Sequence, residues 1–201
     1  MLKLKKIAIT GGVASGKTSV CRFFREFGAF VVNADAIIHE LLVPDTELGK
    51  EIIRQIGHDI VKQGTIDRKA LADKVFTNPE QLKRLEKLLH PVLFQRIEEQ
   101  YAKACQSGMY TLFVVEMPLL FEIQGESFYD DTIAVLADEA IARRRFEQTG
   151  FKPTDYDYRM NRQLSPHQKA ARAHYTIQNN SSLEDLKNKV FALNQTIMKQ
   201  P

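Results

Sequence analysis

Short aliphatic runs alternate with helical spacing along most of the chain. Residues 7–10 form a β-branched run that ends at Gly11-Gly12. Residues 17–27 then place Val20, Phe23, Phe24 and Phe27 on one helical face, closed by Gly28. This reads as strand, glycine loop, helix. Ala29-Phe30-Val31-Val32 is apolar without alternation, as in a strand covered on both faces, and it ends at Asn33-Ala34-Asp35. Between residues 36 and 108 the pattern turns helical, with punctuation at Pro44, Gly57, Gly64, Asn78-Pro79 and His90-Pro91. Asn78 as N-cap, Pro79 as first helical residue and Gln81 at the capping-box position mark one helix start. Two more buried-strand runs follow, Leu112-Phe113-Val114-Val115, which leads into Glu116-Met117-Pro118, and Ile133-Ala134-Val135-Leu136. Residues 140–148 predict a helix, 149–173 form a polar, basic, tyrosine-bearing stretch, and Tyr175-Thr176-Ile177 predicts a last short strand. Leu183, Leu186, Val190 and Leu193 trace the inward stripe of a terminal helix. Together these elements predict a mostly parallel α/β sheet carrying a helical insertion.

Composition narrows the class. The 201 residues suffice for one domain with inserted segments, and 44% hydrophobic with 26% charged residues is the composition of a folded globular chain. A net charge of +3 assists an anionic substrate but lacks the density of a dedicated nucleic-acid binder. Cys21 and Cys105 lie in helical segments without CxxC spacing, so reduced packing residues are expected. Behind Met1-Leu2-Lys3-Leu4-Lys5-Lys6 the apolar run is only Ile7-Ala8-Ile9, too short for a signal-peptide core or a membrane span, and a cytoplasmic location is the expectation.

The chemistry concentrates after the first strand. Gly11-Gly12-Val13-Ala14-Ser15-Gly16-Lys17-Thr18 satisfies G-x-x-x-x-G-K-[ST] between a strand and a helix, the context a P-loop requires. Backbone N–H groups of such a loop wrap a phosphate, and the helix N-terminus adds partial positive charge toward the same anion. Lys17 is then expected to bridge the β- and γ-phosphates and Thr18 to ligate magnesium. Asp35, just past a strand's carboxyl end, suits proton acceptance from an attacking hydroxyl, metal binding through water, or plain N-capping of a helix from Ala36. Glu116 ends a hydrophobic strand, the position from which an acid reaches a magnesium shell, although an acid at a strand end is common and gains this meaning only beside the P-loop. Arg143, Arg144 and Arg145 begin either a solvated helix or a mobile lid that neutralises a transferring phosphoryl group. His90 before Pro91 offers a substrate contact or a helix C-cap.

In this order, the motifs resemble the dephospho-CoA kinase family over nearly the whole chain. Ile9-Thr10-Gly11-Gly12 with Ser15-Gly16-Lys17 is similar to the family's loop, and Asn33-Ala34-Asp35 matches its D-A-D element at two of three places. Gly64-Thr65-Ile66-Asp67-Arg68, Val75-Phe76, Leu85-Glu86 and Leu89-His90-Pro91 continue the likeness. Pro118-Leu119-Leu120-Phe121-Glu122 resembles its P-L-L-F-E signature, and Gln163, Lys169, Ala173, Ile177 and Asn179 its lid and last strand. Asn33 stands where the family has an acid, Glu116 where an Asp is usual, and Gln148 where a second lid arginine is usual.

The resemblance implies a nucleoside-kinase-like P-loop fold with a five-stranded parallel sheet flanked by helices. The core would comprise about residues 1–35, 109–140 and 174–201, the helical acceptor-binding insertion about 36–108, and the lid about 141–173. It implies transfer of the ATP γ-phosphoryl group to the ribose 3′-hydroxyl of dephospho-CoA, with Mg2+, giving CoA and ADP. Asp35 would be the general base, Lys17 and Arg144 its catalytic partners, and Gly12, Val13, Ala14, Ser15, Gly16, Lys17, Thr18 and Asn179 the nucleotide site. His90, Pro118 and Leu119 would join Asp35 on the acceptor, with Thr18 and Glu116 at the metal. Small-molecule substrates, no nucleic acid or membrane partner, and a monomer or weak homo-oligomer complete the expectation.

Overall fold

The apolar runs that lack alternation become strands buried on both faces. In the computed structural model, which describes residues 3–200, β1 (Lys5–Gly11), α1 (Lys17–Glu26) and β2 (Phe30–Asn33) come first. They are followed by α2 (Ala34–Leu41), α3 (Glu47–Ile56), the two-residue strands β3 (Val61–Lys62) and β4 (Thr65–Ile66), α4 (Arg68–Phe76) and α5 (Pro79–Ser107). Next are β5 (Leu112–Glu116), β6 (Asp131–Leu136), α6 (Glu139–Glu147), α7 (Pro153–Met160), α8 (Pro166–Arg172), β7 (Tyr175–Gln178) and α9 (Leu183–Lys199). Met1, Leu2 and Pro201, which the expected core segments include, lie outside the described residues.

Five strands form one sheet in the order β2-β5-β1-β6-β7, and every pairing is parallel. The register sets Glu116 opposite both Ile9 and Asn33. The carboxyl ends of the central strands therefore meet at one edge, where ligands bind in open α/β sheets. Below that edge Ile7, Ile9, Val114, Ile133 and Val135 from the sheet pack with Val20 and Phe24 of α1 and Val190 of α9, all fully buried. Each such side chain stabilises the fold by about 1.5–3 kcal/mol. The terminal helix buries Leu186, Val190, Asn194 and Ile197, whereas Leu183 is exposed, contrary to the expected stripe. Leu183 is the first residue after the Ser182 cap, so its turn lies at the end of the packed face.

Contacts divide the chain into two compact units, one up to Asn33 and from Tyr101 onward, the other Ala34–Gln100. The second unit has its own core of Ile52, Ile56, Ile60, Leu71, Val75, Leu85 and Leu89. Its limits differ from the 36–108 segment read from sequence, because Tyr101 belongs with the sheet: its hydroxyl donates to Leu4 O at 2.9 Å and its ring meets Phe113 edge-on. Helix α2 begins at Ala34, which puts Asp35 inside the first turn and not at a cap before Ala36. Asn78 Oδ1 accepts the N–H groups of Glu80 and Gln81, the expected start of α5.

Helix α5 does not stop at His90-Pro91 but runs on to Ser107. An internal proline costs about 3 kcal/mol. The buried stripe Leu85, Leu89, Leu93 and Ile97 offsets this, at about 1.5–3 kcal/mol per side chain. His90 is therefore a mid-helix residue and caps nothing. The β3–β4 hairpin interrupts the region read as wholly helical, its turn carried by Gln63 and Gly64 at φ 50° and 74°. Among the described residues no helix is long and apolar enough to cross a membrane.

Candidate active site

The loop from Gly11 to Thr18 leaves the central strand β1 and opens α1. Gly16 holds it in a left-handed conformation, φ 98°, and a Cβ there would lie 2.1 Å from Asn179 Nδ2. That amide donates to Ser15 O at 2.8 Å, so Asn179 braces the loop from the end of β7. Gly16→Ala is expected to lower stability by about 1–3 kcal/mol, read as a fall in Tm, and to weaken nucleotide binding in a titration. Lys17 Nζ donates to Gly11 O at 3.1 Å and Gly12 O at 2.7 Å, which folds its ammonium across the loop. Ser15 Oγ is buried with no hydrogen-bond partner among the described residues, a donor suited to an oxyanion. The α1 N-terminus faces the same loop with its partial positive charge.

One turn further, Thr18 Oγ1 donates to Glu116 Oε1 at 2.8 Å, and Asn33 Nδ2 donates to Glu116 Oε2 at 3.0 Å. Glu116 is 6% exposed, so both of its oxygens are committed in a nearly dry setting. Asn33 thus orients the acid across two strands, and its neutral amide sets no second negative charge beside the buried carboxylate. Hydroxyl and carboxylate oxygens side by side are hard donors that fit Mg2+. No cluster of three or more His, Cys, Asp or Glu side chains able to hold a metal occurs among the described residues. A magnesium ion here would therefore depend on phosphate oxygens and water for its remaining ligands. Cys21, next to Glu116, has its thiol pushed well above the ordinary value by burial and then by that carboxylate, with Lys17 and Arg25 opposing. It stays protonated and free, as Cys105 is free.

Thr18, Cys21, Asn33 and Glu116 line a cavity of about 290 Å³ together with Arg22 and Arg25. No motif in the sequence marks these two arginines. Their signal was the i, i+4, i+7 spacing from Thr18, which puts all three on one face of α1.

The three consecutive arginines have three different surroundings. Arg143 bonds Glu139 and Asp157, and both carboxylates raise its pKa. Arg145 donates to Asn179 O at 3.0 Å. Arg144 is exposed, with no side-chain hydrogen bond or ion pair among the described residues. Phe146 and Tyr156 form a small core on which Val13 and Ala14 of the loop and Met160 pack. A Cβ on Gly12 would come within 3.3 Å of Pro166, so α7 and α8 close directly over the loop. Pro118 O accepts hydrogen bonds from Thr10 Oγ1 and Lys169 Nζ, and Leu119 is 45% exposed. In the second unit, Asp35 occupies the first turn of α2, and burial pulls the pKa of half-buried His90 below its usual value, Glu86 opposing.

Known proteins bear on this geometry. A family model described as dephospho-CoA kinase matches residues 5–185. The chain is 44% identical to the dephospho-CoA kinase of Chlamydia pneumoniae over 94% of its length and 95% of the relative's. It is 42% identical to that of Protochlamydia amoebophila over 98% of both. The solved dephospho-CoA kinase of Campylobacter jejuni superposes with a TM-score of 0.69 at 25% identity, covering 96% of this chain and 97% of that one. By the family match over residues 5–185 and these identities along nearly the whole length, the chain belongs to the dephospho-CoA kinase family.

Proposed function

We propose that this chain carries out its family's reaction with Lys17, Thr18 and Arg144 on the triphosphate and Asp35 on the acceptor hydroxyl. The reaction is phosphorylation of the ribose 3′-hydroxyl of dephospho-CoA by ATP, the final step of coenzyme A biosynthesis. One observation supports this reading above the others: the hydroxyl after the P-loop lysine meets a buried strand-end carboxylate at 2.8 Å. That pair is the donor set a nucleotide-bound magnesium requires.

Phosphoryl transfer through a loose transition state asks mainly for alignment and charge neutralisation. Lys17 exchanges its two loop carbonyls for β- and γ-phosphate oxygens. Thr18 and Glu116 would hold Mg2+, which when bound would supply charge neutralisation on the phosphate oxygens. Arg144 is the lid arginine, because Arg143 and Arg145 are committed elsewhere. Asp35 orients the hydroxyl and takes its proton as the new bond forms, since a carboxylate is too weak a base to ionise a sugar alcohol beforehand. Asn179 and residues 12–16 shape the nucleotide site, His90, Pro118 and Leu119 contact the acceptor, and residues 141–173 close as a lid that excludes water. The enzyme works on small molecules in the cytoplasm as a monomer or weak homo-oligomer.

Glu116→Gln removes the charge while keeping the shape. The Mg2+ concentration for half-maximal rate is expected to rise by about 10–100-fold; an unchanged value would remove Glu116 from the metal site. The reaction itself is tested by 31P NMR of products from an acceptor panel. A new 3′-phosphomonoester on dephospho-CoA is expected, and preferential phosphorylation of AMP, dTMP or shikimate would overturn the assignment.

A further inference from the structure

We propose that Lys169 is a positioning residue for phosphoryl transfer, a buried clamp that joins the α7–α8 turn to the strand ends beside the P-loop. The proposal rests on the reading of residues 141–173 as a lid. Lys169 is 0% exposed, an unusual setting for lysine, on a helix whose neighbouring positions mostly face solvent. Its ammonium has three donors. It meets Pro118 O at 2.6 Å, Gln163 Oε1 at 2.8 Å and Glu122 Oε1 at 3.1 Å. Two of these acceptors lie on the turn after β5 and the third in the segment between α7 and α8. Pro118 O also receives Thr10 Oγ1 at 3.0 Å, from the residue that enters the P-loop, and Glu122 Oε1 also receives Leu164 N at 2.7 Å. One cation therefore gathers β1, the turn after β5 and the segment 163–164.

A buried ion pair is a poor device for stability, because desolvation consumes most of its Coulomb energy and an apolar side chain of similar volume does as well. What such a cluster supplies is a single arrangement of its acceptors. Here that arrangement matters to the loop, because Pro166 and Met160 lie within 3.3–3.8 Å of where a Gly12 Cβ would be. Burial lowers the pKa of Lys169, and the Glu122 carboxylate beside it opposes that fall.

Lys169→Met and Gln163→Leu test this, alone and together. Gln163→Leu removes the lid-side acceptor, and with it the long contacts of Nε2 to Arg159 O at 3.4 Å and Met160 Sδ at 3.8 Å. Expected is a fall in kcat of about tenfold for Gln163→Leu and about a hundredfold for Lys169→Met. For Gln163→Leu the Tm should hold and the ATP dissociation constant should stay within about twofold, as measured by titration, because the P-loop itself is intact. The fraction of ATP hydrolysed without transfer should rise, and the double variant should be no worse than Lys169→Met, since both remove one interaction. Normal kcat in Gln163→Leu, or effects that multiply independently, would overturn the clamp. Should Lys169→Met fail to fold, Gln163→Leu decides alone. Wild-type protein in the same assay separates the claims: no transfer to dephospho-CoA overturns the reaction, and normal transfer with unaffected variants overturns only the clamp.

Discussion

Asp35→Asn should lower phosphoryl transfer by about 10²–10⁴-fold, the usual contribution of a general base, while ATP affinity changes by less than about twofold. The asymmetry follows from where the residue lies. Asp35 is in the first turn of α2, two residues beyond the strand end that Asn33 occupies, whereas the triphosphate cradle is made by residues 11–18. Asparagine keeps the size and can still accept a hydrogen bond from the hydroxyl, but it cannot take up the proton. Transfer would then have to release a proton to water. Steady-state rates with dephospho-CoA and a separate nucleotide titration measure the two quantities. Near-normal turnover would reject Asp35 as the base, and a large loss of ATP affinity would make it part of the nucleotide site instead.

Lys17→Ala should damage both quantities. Its ammonium donates to Gly11 O and Gly12 O, so its loss takes away the loop's internal tie as well as the charge intended for the β- and γ-phosphates. A hydrogen bond to a charged group contributes about 1.5–3 kcal/mol, which corresponds to an ATP affinity weakened by about 10–150-fold. Charge neutralisation at the transferring oxygens adds a further loss of about 10²–10³ in kcat. Titration and initial rates at saturating ATP separate the parts. Normal affinity together with a normal rate would show that the cradle works without its lysine.

Much of this arrangement could be read from residues because it is local. The P-loop is eight consecutive residues between a strand and a helix, and the strands betray themselves by unbroken apolar runs such as Leu112-Phe113-Val114-Val115. What spacing concealed depends on partners far along the chain. In the sequence Asn33 shows only as a departure from the family's acid, whereas in the fold its amide lies on Glu116, 83 residues away, a bond set by the β2–β5 register. The arginine triplet gave no means of telling its members apart, since the groups that separate them, Asp157 and Asn179, come from other elements. Pro91 suggested an end to a helix whose buried stripe on both sides outweighs one missing hydrogen bond. Strands β3 and β4 have two residues each, too few for alternation to register. The membership of Lys169 in a lid pattern was visible, whereas its complete burial and its three acceptors were not.

The most direct measurement is ADP release by the purified chain with Mg·ATP, followed in a coupled assay with and without dephospho-CoA. A fast, saturable release that consumes one ATP per dephospho-CoA, and is slow without acceptor or with AMP or shikimate in its place, is the predicted outcome. Release that ignores dephospho-CoA would contradict it, whatever the geometry of the loop.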